Sequence, residues 1–161
     1  MLTNNFAGLI SLNCQGSSSN YSVCKYVDNS VASVGYSWFK SMLNGNSLKL
    51  KKENSSSTGI ALVLGTGSTP PKSTDTALEA LTEDYEVVTQ TKDIPYSFSS
   101  SIVTITRVIK NTGSTPLTIS EIGLYAYQVN FSTLMLAREV IDPVTIQPGK
   151  KHSFTMDLCV E

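Results

Sequence analysis

The chain has 161 residues, 40% of them hydrophobic and 16% charged, with a formal net charge of −1. That length and apolar share suffice for one domain with a real core, which excludes wholesale disorder. A near-neutral balance lacks the surplus cations that displace counterions from phosphate, so no nucleic-acid partner is expected.

The first ten residues lack the positive n-region and unbroken apolar stretch of a secretory signal. No segment reaches the roughly 18 consecutive apolar residues of a membrane-spanning helix, so no membrane partner is expected either. Phe6, Leu9, Ile10 and Asn13 fall at helical spacing, which predicts a short amphipathic helix or an arm laid on a partner. Of the three cysteines, Cys14 and Cys24 lie ten residues apart and Cys159 near the end. An odd number without an export signal reads as reduced thiols, with a Cys14–Cys24 bridge left open.

Tyr36, Trp38, Phe39, Met42 and Leu43 gather large apolar side chains ahead of Asn44-Gly45, a strong hairpin signal. Leu48-Lys49-Leu50-Lys51 then alternates like a half-exposed strand. A polar stretch at 53–58 closes this part. Residues 1–57 therefore read as a small hairpin-containing arm, too short for a large core of its own. Phe6, Leu9, Ile10, Trp38 and Phe39 are its candidate interface residues, and they predict an oligomeric or association-prone chain.

From residue 58 the pattern is that of a second unit, 58–161. Gly59-Ile-Ala-Leu-Val-Leu64 is a buried-strand run that ends at Gly65-Thr-Gly67, where at least one glycine is expected at positive φ. Pro70-Pro71 forces an extended path. Thr76 and Glu79 are spaced as in a capping box, and the residues between and after them predict one or two helical turns. β-rich runs follow at Tyr85–Thr91, Ile102–Lys110, Leu117–Tyr127, Leu134–Ile141 and Ser153–Val160. Their dividers are turn-formers, Asn111 to Pro116, Asn130 and Gln147-Pro148-Gly149. Short strands with such punctuation, and no crossover helices, predict an all-β, antiparallel β-sandwich. Glu121 and Arg138 each interrupt an apolar-rich strand; a buried charge needs a partner, so the two should pair.

Catalytic constellations are poor. His152, the only histidine, stands beside Lys150 and Lys151 in a strand pattern and reads as a solvent-facing residue rather than a triad base. Glu83, Asp84 and Glu86 read as solvated acids of a polar turn. Gly65-Thr-Gly67 lacks the third glycine of GxGxxG, the GK[ST] ending and the βαβ context of a phosphate loop. No metal set or cofactor motif is present in the pattern, and no catalytic residue is assigned. The Asn-x-Ser/Thr triplets at Asn20, Asn54 and Asn130 are discounted as chance matches in a Ser- and Asn-rich chain.

Four segments occur in a characteristic order: Leu64-Gly-Thr-Gly-Ser-Thr-Pro-Pro-Lys-Ser-Thr-Asp-Thr-Ala-Leu-Glu79, Glu121-Ile-Gly-Leu-Tyr125, Leu134-Met-Leu-Ala-Arg-Glu-Val140 and Ile146-Gln-Pro-Gly149. In this order they resemble β-sandwich modules of tailed-bacteriophage virion proteins. The resemblance spans residues 59–160 and implies a non-enzymatic tail, neck or fibre-attachment subunit, made in the bacterial cytoplasm and carried in the virion. It implies other virion proteins as partners, with homo-oligomerisation. A capsid decoration or head-fibre protein, or a module that binds a host-surface carbohydrate, is the alternative; aromatic faces such as Trp38 stack on sugar rings. Gly65, Gly67, Pro70, Pro71, Glu121 and Arg138 are the structural residues of this reading.

Overall fold

The computed structural model describes residues 1–6, 59–90, 102–127 and 133–159. Leu9, Ile10, Asn13, Cys14, Cys24, Trp38, Phe39 and the Asn44-Gly45 hairpin signal lie outside them. The described strands are β1 (Gly59–Gly65), β2 (Tyr85–Gln90), β3 (Ile102–Asn111), β4 (Leu117–Tyr127), β5 (Leu134–Ile146) and β6 (Lys151–Cys159). They form two antiparallel three-stranded sheets, ordered β1-β4-β5 and β2-β3-β6. The expected all-β sandwich is the fold.

Alternation explains the core. Ile105 and Ile109 of β3, with Phe154 and Met156 of β6, point inward from one sheet. Leu62 and Leu64 of β1, and Ile122 and Leu124 of β4, meet them from the other. Each such side chain contributes roughly 1.5–3 kcal/mol by leaving water. Strand β4 is buried on both faces along nearly its whole length, as are residues 61–65 of β1 and 134–138 of β5. Its outer face packs Tyr125 against Val63, Met135 and Leu78, the last from the loop between β1 and β2.

That loop departs from the sequence reading. Residues 76–80 form bends and irregular chain, not a helix, and Leu81 bridges Gly65. The amides of Glu79 and Ala80, which a helix would consume, donate to the carboxylate of Glu121. Thr82 N and Thr66 N instead pair with Leu64 O and Ala80 O, folding the loop back along the end of β1.

Strand β5 runs past Ile141, where the sequence pattern stops, as far as Ile146. Pro143 is accommodated because residues 141–143 bulge opposite Ser120 alone, between the Ile119–Val144 and Glu121–Val140 pairs. Bulges and sheet edges are where a strand tolerates proline, since no ladder donor is needed there. At the next turn, Lys150 N donates to Gln147 O at 3.0 Å. Gly149 has φ of 75°, so Pro148-Gly149 occupies the centre of a type II turn.

Residues 1–6, at the start of the predicted arm, lie against the sandwich. Leu2 bridges Ala137 antiparallel, Thr3 N donates to Leu136 O at 2.9 Å and Arg138 N donates to Met1 O at 3.0 Å. The Thr3 hydroxyl and the Asn5 amide are buried on the Met135 and Leu136 carbonyls. Asn4–Phe6 make a single helical turn. Phe6, read as an interface residue, is half-buried against the core of its own chain.

Candidate functional site

Glu121 and Arg138 project from the outer face of β4 and β5. Gly123 stands opposite Arg138 and Val140 opposite Glu121, so the two charges are diagonal neighbours. Diagonal positions lie within reach of long side chains. Arg138 Nε donates to Glu121 Oε1 at 2.5 Å, with the two side chains 4% and 0% exposed. The predicted pair is present, and it is the centre of something larger.

The β1–β2 loop brings two more carboxylates to the same guanidinium. Arg138 Nη1 donates to Asp75 Oδ2 at 2.6 Å, and Nη2 donates to Thr69 O at 3.1 Å. Glu79 Oε2 is 3.6 Å from Nη2, at the exposed rim. Three carboxylates thus face one guanidinium. The excess negative charge is met by six backbone amides: Gly67, Glu79 and Ala80 on Glu121, Ser68 and Thr69 on Glu79, and Lys72 on Asp75. Charge-assisted bonds are stronger than neutral ones, and together these satisfy the charged groups the loop covers.

The electrostatics follow from these contacts. Burial alone would lower the Arg138 pKa, but its hydrogen bonds to Asp75 and Glu121, with their charges, shift it upward overall. The Glu79 pKa falls below its usual value, first through the Thr69 hydroxyl and then through the Thr69 and Ser68 amides. Burial pushes the Tyr125 phenol up to about 12, and its oxygen accepts a 2.7 Å bond from Leu78 N.

Gly65 and Gly67 serve this network by proximity, not by conformation. Among the described glycines only Gly149 has a positive φ, so the expectation for Gly65 or Gly67 is corrected. A Cβ on Gly65 would come within 2.6 Å of Glu121 Oε2 and 2.7 Å of Ala80 O. One on Gly67 would come within 2.5 Å of Glu121 Oε2 and 2.7 Å of Glu79 Cβ. Absence of a side chain is what lets the loop close over the carboxylate. Pro70, exposed, and Pro71, half-buried, carry the chain from Thr69, which bonds both Arg138 and Glu79, toward Asp75.

Asp75, Glu79 and Tyr125 were not singled out by the sequence reading as members of a site. No periodicity marks them, because they act from an irregular loop or through a phenol on a strand's second buried face. A further buried cation, Arg107, was missed although a signal existed. The alternation Ile105-x-Arg107-x-Ile109 places it on the inner face of β3. There Arg107 Nη1 donates across the sandwich to the Leu62 carbonyl of β1, and the guanidinium carbon lies 5.8 Å from the centroid of the Tyr85 ring. At the end of the sandwich, fully buried Asn111 ties two turns together by donating to Thr115 O and Ile146 O, both at 2.8 Å.

His152 is exposed and packs its ring 4.8 Å from that of Phe154. Among the described residues no group of three or more His, Cys, Asp or Glu is placed to hold a metal ion. Chemically, the Glu121–Arg138 network is a fastener: its polar atoms are spent on one another and on the loop backbone. No protein-family model, curated protein or solved structure matches the chain.

Proposed function

We propose that the protein is a non-enzymatic structural subunit of a tailed-bacteriophage virion, of the tail, neck or fibre-attachment type, which assembles with other virion proteins. The observation that supports this reading is the convergence of three of the four resembling segments. Gly65, Gly67, Asp75 and Glu79 come from the first segment, Glu121 and Tyr125 from the second, and Arg138 from the third. Motifs far apart in sequence thus share one physical reason to occur together: each supplies a part of the clamp that holds the β1–β2 loop on its sheet. A rigid sandwich with its loop fastened down suits a subunit that presents fixed surfaces to neighbours.

The test is mass spectrometry and immunogold electron microscopy of particles purified from a culture that carries the gene, with antibody raised against the isolated chain. The chain should copurify with particles at a fixed stoichiometry, and gold should mark one structural position. Its absence from intact particles overturns the proposal. A glycan array run beside it should retain nothing; specific retention of a sugar would favour the carbohydrate-binding alternative.

A further inference from the structure

The two sheets have four lateral edges, and three carry a device that discourages pairing with another chain. The β1 edge is folded over by residues 80–82, through the Gly65–Leu81 bridge and the Thr82 and Thr66 amides. The β2 edge is broken by an irregularity between Val87 and Thr89. The β5 edge is covered at residues 136–138 by Met1–Thr3 and bulges around Pro143 further on. Coverings, bulges and proline are the usual protections of an exposed strand.

Among the described residues, strand β6 has none of these. It pairs with β3 over nine consecutive residues, from Ile102–Cys159 to Lys110–Lys151, without a register shift. It contains neither proline nor glycine. Among the described residues nothing pairs with its other side. Lys151, Ser153, Thr155 and Asp157 alternate as exposed residues with buried Phe154 and Met156.

The pattern is complementary to its own reverse. An antiparallel pairing of two copies about a twofold axis at Phe154 sets each residue opposite the one equally distant on the other side. Lys151 then faces Asp157 of the second copy, Ser153 faces Thr155, and each relation occurs twice. Directly opposed unlike charges and paired hydroxyls favour an antiparallel ladder, whereas like charges oppose it. Isologous self-pairing is also the commonest closed symmetry of homo-oligomers.

We propose that β6 is a homotypic assembly edge, where a second copy of this chain adds its own β6 antiparallel and joins two three-stranded sheets into one of six. The inference deepens the structural-subunit reading by naming the partner and the surface, and it rests on that reading only for its biological setting. The surrounding sheet supports it, because β3 holds β6 extended along its whole length before any partner arrives.

Charge exchange tests it in the full chain. Lys151 and Asp157 are exposed, and circular dichroism checks that each variant keeps the fold. Sedimentation equilibrium over a range of concentrations should show a reversible dimer, or a multiple of it, for the unaltered protein. Asp157→Lys or Lys151→Asp alone sets like charges opposite one another twice and should weaken association by about tenfold or more. The double exchange, Lys151→Asp with Asp157→Lys, restores both pairs and should recover most of that loss. A monomeric unaltered protein, single variants that associate as well as the original, or a double variant as weak as the singles would each overturn the proposal. Failure here leaves particle incorporation intact, and failure of incorporation leaves this association measurable, so the two readings fall separately.

Discussion

Arg138 Nε and Glu121 Oε1 lie 2.5 Å apart across the central strand β4 and its neighbour β5, with both side chains all but inaccessible to solvent. Their pairing makes the outer face of β4 a place where a polar loop can settle, since Asp75, Glu79 and the loop amides complete the coordination of both charges. Replacing one partner should therefore cost far more than an exposed ion pair would.

Arg138→Met or Glu121→Gln each strands buried polar groups, and each should lower unfolding free energy by about 3–5 kcal/mol. Urea unfolding with an unchanged slope is the measurement. The double variant should lose less than the sum of the two, because neither charge is then left alone. Strict additivity would show that the two side chains act independently.

The glycines should separate by mechanism. Gly65→Ala drives a Cβ into Glu121 Oε2 and into backbone at Ala80, so about 2–3 kcal/mol is expected. Gly123→Ala meets the flexible tip of Leu78 at 2.8 Å and should cost less than that. Gly149→Ala has open space around it but a φ of 75°, so its cost of about 1–2 kcal/mol comes from the backbone alone. Thermal unfolding of the three variants checks the order.

Acid should loosen the loop through Glu79. Its folded pKa lies below the ordinary 4.5, chiefly because of the Thr69 hydroxyl and the Thr69 and Ser68 amides. A depressed carboxylate pKa contributes stability above its unfolded value, and this is lost as pH falls through the folded value. Glu79→Gln should consequently flatten the pH dependence of the urea midpoint below about pH 4.5 while changing it little above that value. Because Glu79 is exposed, the effect should be small and should shrink in high salt.

Alkali should act through Tyr125. Burial raises its folded pKa from 10.0 to about 12. Between those values the unfolded chain releases the phenolic proton and the folded one keeps it, so stability falls as pH rises through this window. Tyr125→Phe should remove that alkaline loss. At neutral pH the same variant leaves the buried Leu78 N–H without its acceptor, at a cost of about 1–3 kcal/mol. Absorbance titration near 295 nm should lose a phenol that ionises at about pH 12.

Much of the fold was legible along the chain. Period-two alternation marks Ile105 and Ile109, turn chemistry marks Pro148-Gly149, and both signals are local. The Glu121–Arg138 pair was legible too, since a charge in an apolar strand must find its opposite. The same alternation exposes Arg107 as an inward cation, although only the opposing sheet reveals that its acceptor is the Leu62 carbonyl.

Other features depend on contacts between segments distant in sequence, and these the tertiary structure alone decided. Thr76 and Glu79 are spaced to open a helix, yet Glu121 takes the Glu79 and Ala80 amides, so a buried charge outweighs a weak local preference. Gly65 and Gly67 are small because a carboxylate from β4 approaches them, which no turn rule foresees. Strand β5 continues past Pro143 because a bulge faces Ser120, and Met1–Thr3 lie on β5 because its edge offers backbone groups that need partners. Local chemistry determined where strands begin, alternate and turn, whereas desolvation of charges and unpaired edges determined which distant segments were drawn together.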